Sequence, residues 1–138
     1  MLSLADARKI ADAAFEEAGR RNVVKCSVVI TDAGGHVRLA YRADGQGIFG
    51  VQTATAKATT ALGFNRATLA LTPFFSDQAT AAISGATDGR FAPLGGGVVV
   101  TNLAGDILGA AAISGGLPEV DHEIIVAAVA SQGFSSPP

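Results

Sequence analysis

Few side chains in this chain have the types and spacing needed for chemistry. It contains one cysteine and two histidines, which excludes a closed zinc site unless carboxylates complete the ligand set. It also lacks the Gly-x-Ser-x-Gly pattern that places the nucleophile of many serine hydrolases. The remaining candidate polar groups are His36, Arg42, Asp44, Lys57, Arg90, Glu119, Asp121, His122 and Glu123.

One hypothesis for these groups is acid–base catalysis without a cofactor. Lys57, if desolvated enough to lose its proton, or His122 beside Glu123 could transfer a proton near neutral pH. Arg42 or the backbone amides of residues 96–97 could stabilise a developing oxyanion. This hypothesis predicts an isomerase, hydratase or lyase that acts on a small organic acid or an oxygenated ring compound. The structural alternative for Lys57 is a side chain that extends along the surface into solvent.

A second hypothesis is a small-molecule-binding protein in which Arg42 and Lys57 pair with carboxylates of the ligand. The predicted pocket lies between the sheet, the second helix and residues 95–97, because three consecutive glycines let a backbone approach a ligand closely. The same glycines are also compatible with a bulge at a sheet edge. The full set of predicted ligand-binding residues is His36, Arg42, Asp44, Thr60, Phe74, Phe75, Arg90, Gly95, Gly96 and Gly97.

Composition narrows the class of protein. The chain has 138 residues, of which 49% are hydrophobic and 16% charged, which predicts one domain with one core. A net charge of -2 gives no electrostatic basis for binding nucleic acid. We expect neither a signal peptide nor a membrane span, and therefore a cytoplasmic location. The 17 glycines and many alanines leave little core area per residue, which favours a homo-oligomer.

The elements that position the polar groups follow a repeated pattern. Residues 28–45 and 98–115 each contain a β-branched apolar run, a turn with Asp or Asn and Gly, a second run and a closing Gly. This pattern predicts two β-hairpins, each followed by a helix. Arg38 and Arg42 should lie on an outer face of the first hairpin, whereas the apolar run 107–114 should be a central strand that is covered on both sides.

Periodicity and capping residues predict the helices. Ser3 caps a helix over about 4–20, and a second helix covers about 48–65. Thr72-Pro73 predicts the start of a short helix that ends near residue 84, and a fourth helix runs from Glu119 to about Gln132. Residues 90–93 should be a short extended segment, and residues 134–138 should form a flexible tail. The predicted sheet has about five strands.

Six ordered motifs resemble the GlcG/HbpS family, also called the haem-degrading domain family, which includes the C-terminal domain of PduO proteins. The resemblance extends over essentially the whole chain as a single domain, residues 1–138. The motifs are Asp-Ala-Gly-Gly-His-Val (32–37), Arg-Ala-Asp-Gly (42–45), Lys-Ala-Thr-Thr-Ala (57–61), Pro-Leu-Gly-Gly-Gly (93–97), Gly-Asp-Ile-Leu-Gly-Ala-Ala-Ala-Ile-Ser-Gly (105–115) and Pro-Glu-Val-Asp-His-Glu (118–123).

The resemblance implies a profilin-like α/β (α+β) fold, an antiparallel sheet flanked by helices, that assembles into dimers and higher oligomers. It also implies a ligand such as haem or a corrinoid-related compound, so that haem is a candidate cofactor. The first helix lacks the histidine that serves as a haem ligand in PduO-type relatives. An axial ligand would therefore come from His36, His122 or a group other than histidine.

Overall fold

Five α-helices and four β-strands form the protein in the computed structural model, which describes residues 1–138. In chain order they are α1 (Leu4–Arg20), β1 (Ser27–Asp32), β2 (Val37–Arg42), α2 (Gly50–Phe64), α3 (Thr68–Leu71), α4 (Asp77–Ala86), β3 (Gly97–Thr101), β4 (Ile107–Ser114) and α5 (Pro118–Ser131). A 3-10 turn, Thr72–Phe74, follows α3. The predicted mixed class is confirmed, and the sheet has four strands instead of about five.

The two predicted hairpins lie side by side in one antiparallel sheet with the strand order β2-β1-β4-β3. β1 and β4 are therefore the central strands, and residues 109–114 of β4 are all buried, as expected for a strand covered on both faces. On one face, Val28, Ile30 and Ile113 pack in a core with α1 and α5. The opposite face packs against α2.

Small side chains hold α2 close to the sheet. Ala54 and Ala58 of the helix contact Val29, Ala110 and Ala112 of the central strands, and all five are fully buried. Alanine on both sides of this contact brings the helix backbone close to the strands. The turn that joins β1 to β2 then lies beside α2, since a Cβ on Gly35 would be 3.7 Å from Thr59. This close packing positions the C-terminal half of α2 for the cavity described below.

Residues 90–93, predicted to be a short extended segment, belong to no strand of the sheet. Their backbone is held by threonine side chains of α2 instead of a neighbouring strand. The Thr59 hydroxyl donates to the Arg90 carbonyl (2.6 Å), and the Thr60 hydroxyl accepts from the Ala92 amide (2.8 Å). These bonds give hydrogen-bond partners to backbone groups of an extended segment that pairs with no neighbouring strand.

The helix predicted from Thr72-Pro73 to about residue 84 begins later and ends later, as α4. Thr72 is not its N-cap, because the Thr72 hydroxyl donates to the Pro93 carbonyl (2.6 Å). Phe75 is extended (φ -123°), and Ser76 caps the helix by accepting from the Ala79 amide (3.1 Å). The prediction was wrong because Ser76 competes with Thr72 as a cap, and sequence does not show which hydroxyl is free.

Helices α1, α2 and α5 agree with their predicted ranges to within two residues, and the short helix α3 was not predicted. Ser3 accepts from the Asp6 amide (3.0 Å) at the start of α1, and Asn65 ends α2 in a left-handed conformation (φ 49°). Near the C-terminus, Ser135 and Thr101 exchange two backbone hydrogen bonds, so that the segment predicted to be a flexible tail is attached to β3 at this residue. No helix has both the length and the apolarity that crossing a membrane requires.

Candidate functional site

A cavity of about 430 Å³ lies between the β1–β2 turn, the C-terminal half of α2, the end of α4 and residues 90–91. Its apolar wall consists of Leu62, Phe64, Ile83 and Phe91. The remaining lining residues are small or polar: Ala33, Gly34, Gly35, Thr59, Thr60, Gly63, Thr87 and Arg90. We call this space the main cavity.

An aromatic cluster builds the apolar wall. The rings of Phe64, Phe75 and Phe91 contact one another, with centroid distances of 5.0 to 5.8 Å and tilted or edge-to-face geometry. Phe75 therefore supports the wall from behind without lining the cavity. The neighbouring Phe74 points elsewhere: it is 68% exposed and its ring lies 5.4 Å from the Arg66 guanidinium.

Arg90 is the one charged side chain among the residues that line the main cavity. Its Nε donates to the Thr87 carbonyl (3.2 Å) at the end of α4, and its other guanidinium nitrogens have no partner in the protein. The threonine hydroxyls nearby are less available, because Thr59 and Thr60 already bind backbone groups of residues 90–92. Arg90 is thus the group best placed to bind an anion in this cavity.

His36 lies at the edge of the main cavity and is oriented by Asp32. Asp32 Oδ1 accepts from the amides of Gly34 (2.9 Å) and His36 (2.9 Å), and it lies 3.2 Å from His36 Nδ1. The bond from the His36 amide is the main reason that the pKa of Asp32 lies below its usual range. The imidazole lies against Gly34, a lining residue, where an added Cβ would be 3.0 Å from Nδ1. Nε2 has no partner in the protein, and the side chain is 82% exposed.

Lys57 forms a buried ion pair with Asp121 away from the main cavity. Lys57 Nζ donates to Asp121 Oδ2 (3.2 Å) and to the Ile113 carbonyl (3.0 Å), while Asp121 Oδ1 accepts from the Gly116 amide (2.9 Å). The two side chains are only 5% and 1% exposed. Burial lowers the pKa of Lys57 and raises the pKa of Asp121, and the attraction between them opposes both shifts. Lys57 does not extend into solvent.

The glycines 95–97 make room for this ion pair. A Cβ on Gly96 would lie 2.9 Å from Lys57 Nζ and 2.5 Å from the Ile113 carbonyl oxygen, and one on Gly97 would lie 2.5 Å from the Lys57 carbonyl oxygen. A Cβ on Gly95 would meet the Pro118 carbonyl oxygen at 2.3 Å. The three glycines allow backbone and ion pair to approach closely, and none of them lines the main cavity.

The other two residues predicted for acid–base chemistry also lie away from the main cavity. Glu123 is paired with Arg21 on the surface. His122 is half-buried, its Nδ1 is buried without a partner, and burial lowers the pKa of the imidazole. Neither lines the main cavity, and the acid–base role of Lys57, His122 and Glu123 stays a prediction.

The structure brings together four of the predicted ligand-binding residues. Thr60 and Arg90 line the main cavity, Phe75 supports its wall, and His36 lies at its edge. The others, Arg42, Asp44, Phe74, Gly95, Gly96 and Gly97, do not line it. Among the lining residues that sequence reasoning missed are the glycines of the β1–β2 turn, Ile83 of α4 and Thr87, which follows the end of α4. The Asp-Ala-Gly-Gly turn was visible in sequence, but its contact with α2 was not.

No group of three or more His, Cys, Asp and Glu side chains is arranged to bind a metal ion.

Comparison with known proteins gives one family and several solved structures. The family model of haem-degrading, HbpS-like proteins matches residues 2–130. The structure of a PduOC–haem complex is 28% identical, with a TM-score of 0.87 and 99% of each chain covered. A double mutant of HbpS from Streptomyces reticuli is 27% identical, with a TM-score of 0.78, and the match covers 94% of this chain and 86% of that chain. Klebsiella pneumoniae ORFY shares the fold at 24% identity and a TM-score of 0.84, over 94% and 89% of the two chains. No curated protein matches.

Proposed function

Because the chain belongs to the family of haem-degrading, HbpS-like proteins, we propose that it binds haem or a related tetrapyrrole in the main cavity. One of its structural relatives is a complex with haem. The single observation that carries the proposal is the free Nε2 of His36 at the edge of this cavity. The size of the cavity, its apolar wall and Arg90 support it further.

The size and surface of the main cavity support a haem site. A volume of about 430 Å³ lies within the range of roughly 300–1,000 Å³ that is usual for cofactor sites. Leu62, Phe64, Ile83 and Phe91 offer apolar surface to a flat ring. Arg90, with guanidinium nitrogens free, can pair with a propionate, since a guanidinium binds a carboxylate through two parallel hydrogen bonds. The residues present therefore fit haem.

His36 is the histidine that would hold the haem iron, through Nε2. Asp32 faces Nδ1 and favours the tautomer with the proton on that nitrogen, which leaves the Nε2 lone pair free. A carboxylate behind a ligating histidine is the usual arrangement in metal sites, where it fixes the ring and raises its basicity. Bound haem would supply an iron atom that takes a nitrogen ligand and can change its redox state. His122 has its Nδ1 buried and lies away from the main cavity, so it is the weaker candidate.

Haemin titration followed by absorbance tests the proposal. Wild-type protein should shift the Soret band with a saturable, one-site dependence. His36→Ala should lose the spectrum of the histidine-ligated form, and Arg90→Ala should bind roughly tenfold more weakly because it loses charge-assisted hydrogen bonds. His122→Ala, the only other histidine variant that the chain offers, should behave as wild type. Failure of the wild type to shift the band, or wild-type spectra and affinity in His36→Ala, would refute the proposal.

A further inference from the structure

His36 and Asp32 form a pair of the kind that transfers a proton. Asp32 Oδ1 lies 3.2 Å from His36 Nδ1, which favours the proton on that nitrogen and leaves a lone pair on the accessible Nε2. A carboxylate in this position also stabilises the imidazolium that forms when Nε2 accepts a proton. The carboxylate is itself fixed, because Oδ1 accepts from the amides of Gly34 and His36, both at 2.9 Å. The β1–β2 turn therefore holds a general base at the edge of the main cavity.

Arg90 gives the same cavity an anion site of a particular shape. Its Nε donates to the Thr87 carbonyl (3.2 Å), so the two terminal nitrogens of the guanidinium are the free ones. Two oxygen atoms side by side fit such a fork. A 2-oxo acid offers them, one from the carboxylate and one from the adjacent carbonyl. A guanidinium at the carbonyl oxygen also stabilises the negative charge that develops there when an enolate forms.

The wall of the main cavity indicates the rest of the substrate. Leu62, Phe64, Ile83 and Phe91 form an apolar surface, and the rings of Phe64 and Phe91 lie 5.8 Å apart between centroids. An aromatic ring of a ligand packs well against such a surface. No acidic side chain lines the cavity to repel a carboxylate. A 2-oxo acid with an aromatic ring on its third carbon atom matches the base, the anion site and the wall together.

We propose that the protein is a tautomerase of 2-oxo acids with an aromatic ring on the third carbon atom, with His36 as the base and Arg90 as the anion site. Nε2 removes a proton from the third carbon, the electron pair of that C–H bond forms a double bond to the carbonyl carbon, and the carbonyl π electrons move to the oxygen. The imidazolium then returns the proton to this oxygen, which gives the enol. Protons and electrons balance within the substrate and His36. The activity needs no haem, so it goes beyond the proposed function and does not rest on it.

Phenylpyruvate is the probe for this activity, because its keto and enol forms differ in ultraviolet absorbance. Wild-type protein without added haemin should accelerate tautomerisation above the rate in buffer. His36→Ala should lower kcat by roughly 100-fold, as for loss of a general base. Asp32→Asn should lower kcat about tenfold with little change in KM, since Asp32 positions the base and does not touch substrate. His122→Ala, the other histidine variant, should keep wild-type activity. No acceleration by wild type, or a wild-type kcat in His36→Ala, would overturn the proposal.

The methyl ester of phenylpyruvate isolates the role of Arg90. Wild type should have a kcat/KM roughly tenfold or more higher for the acid, because the ester lacks the charge that strengthens the hydrogen bonds to the guanidinium. Arg90→Ala should treat the acid and the ester alike. Arg38→Ala removes an exposed arginine that does not line the main cavity, and this control should keep the preference for the acid. A preference that survives in Arg90→Ala would overturn the assignment of Arg90.

Haemin titration of the same samples separates this activity from the proposed function. A protein that shifts the Soret band but does not tautomerise phenylpyruvate would refute the tautomerase alone. Tautomerase activity without a Soret shift would refute haem binding alone. Where both hold, haemin should inhibit competitively, because both ligands occupy the main cavity. Inhibition that excess phenylpyruvate does not relieve would overturn the shared site.

Discussion

In two places a basic side chain lies beside a carboxylate at the same distance, and the two pairs have different roles. Lys57 Nζ lies 3.2 Å from Asp121 Oδ2, and His36 Nδ1 lies 3.2 Å from Asp32 Oδ1. The first pair is almost completely buried, whereas the His36 side chain is mostly exposed. The environments therefore differ although the distances do not.

The two pairs differ in whether their other polar atoms have hydrogen-bond partners in the protein. Lys57 also donates to Ile113, and Asp121 also accepts from Gly116, so the buried pair has no accessible position left for a ligand. In the exposed pair, Asp32 binds the turn backbone and one imidazole nitrogen, and His36 Nε2 is left over. We call a pair closed when all its polar atoms have partners in the protein, and such a pair supports the fold. A pair with one free nitrogen can bind a ligand. Variants that alter each pair in turn test this distinction.

Lys57→Met should destabilise the protein by about 3–5 kcal/mol, because it leaves the Asp121 carboxylate buried and unpaired. Urea denaturation measures this free energy of unfolding. Lys9→Met, at an exposed position of α1, is the control and should change stability by less than about 0.5 kcal/mol. The double variant Lys57→Met/Asp121→Leu should recover most of the loss, since apolar residues often replace a buried pair without cost. A loss below about 1 kcal/mol in Lys57→Met would contradict a closed structural pair.

Gly96→Ala tests the space around the same ion pair. The added Cβ would lie 2.5 Å from the Ile113 carbonyl oxygen and 2.9 Å from Lys57 Nζ, at a residue with φ +124°. We expect a loss of about 1–3 kcal/mol, from crowding together with backbone strain. Gly105→Ala separates the two causes, because Gly105 has φ +91° and open space around its Cβ position. Equal losses in the two variants would show that crowding at the ion pair contributes nothing.

Asp32→Asn tests the exposed pair through binding. The amide can still contact His36 but is a weaker acceptor, so haemin affinity should fall by roughly 10–100-fold, as for other partners of metal-ligating histidines. Wild-type haemin affinity in Asp32→Asn would show that Asp32 does not orient the histidine. The matched variant Asp44→Asn changes an exposed carboxylate that does not line the main cavity, and its affinity should equal that of wild type.

Sequence predicted the scaffold better than the site, and the reasons are physical. Hairpins and helices depend on local patterns, such as the β-branched run before Asp32 or the cap at Ser3, and these are visible in the sequence. The main cavity depends on contacts between segments far apart, such as the bond from Thr59 to the Arg90 carbonyl. The extended backbone of residues 90–93 could be predicted from the sequence, but the threonines of α2 that bind it could not.

Lys57 and His36 show the same limit for single residues. Both stand out in the sequence as polar residues with unusual neighbours, and sequence could not show which was enclosed. Lys57 stands in a helix of small residues, which was visible, but its pairing with Asp121 spans 64 positions of the chain. His36 lies four positions from Asp32, so this pair could have been found from the Asp-Ala-Gly-Gly-His turn alone.

The pH dependence of stability should have opposite signs for the two carboxylates. Burial raises the pKa of Asp121, so its contribution to stability is fully present below the unfolded value near 3.8 and is lost as pH rises through the folded pKa. The backbone bond from His36 lowers the pKa of Asp32, whose contribution is present above 3.8 and is lost as pH falls through the folded pKa. Acidification should thus strengthen the first contribution and weaken the second.

Urea denaturation from about pH 6 to about pH 3 measures both contributions as differences from wild type. Wild type should gain stability relative to Lys57→Met/Asp121→Leu as pH falls, because protonation removes a buried charge that costs free energy to desolvate. Wild type should lose stability relative to Asp32→Asn over the most acidic part of the range, where the carboxylate that holds the turn is protonated. If both differences change in the same direction, the environments of the two pairs do not differ in the way that their geometry indicates.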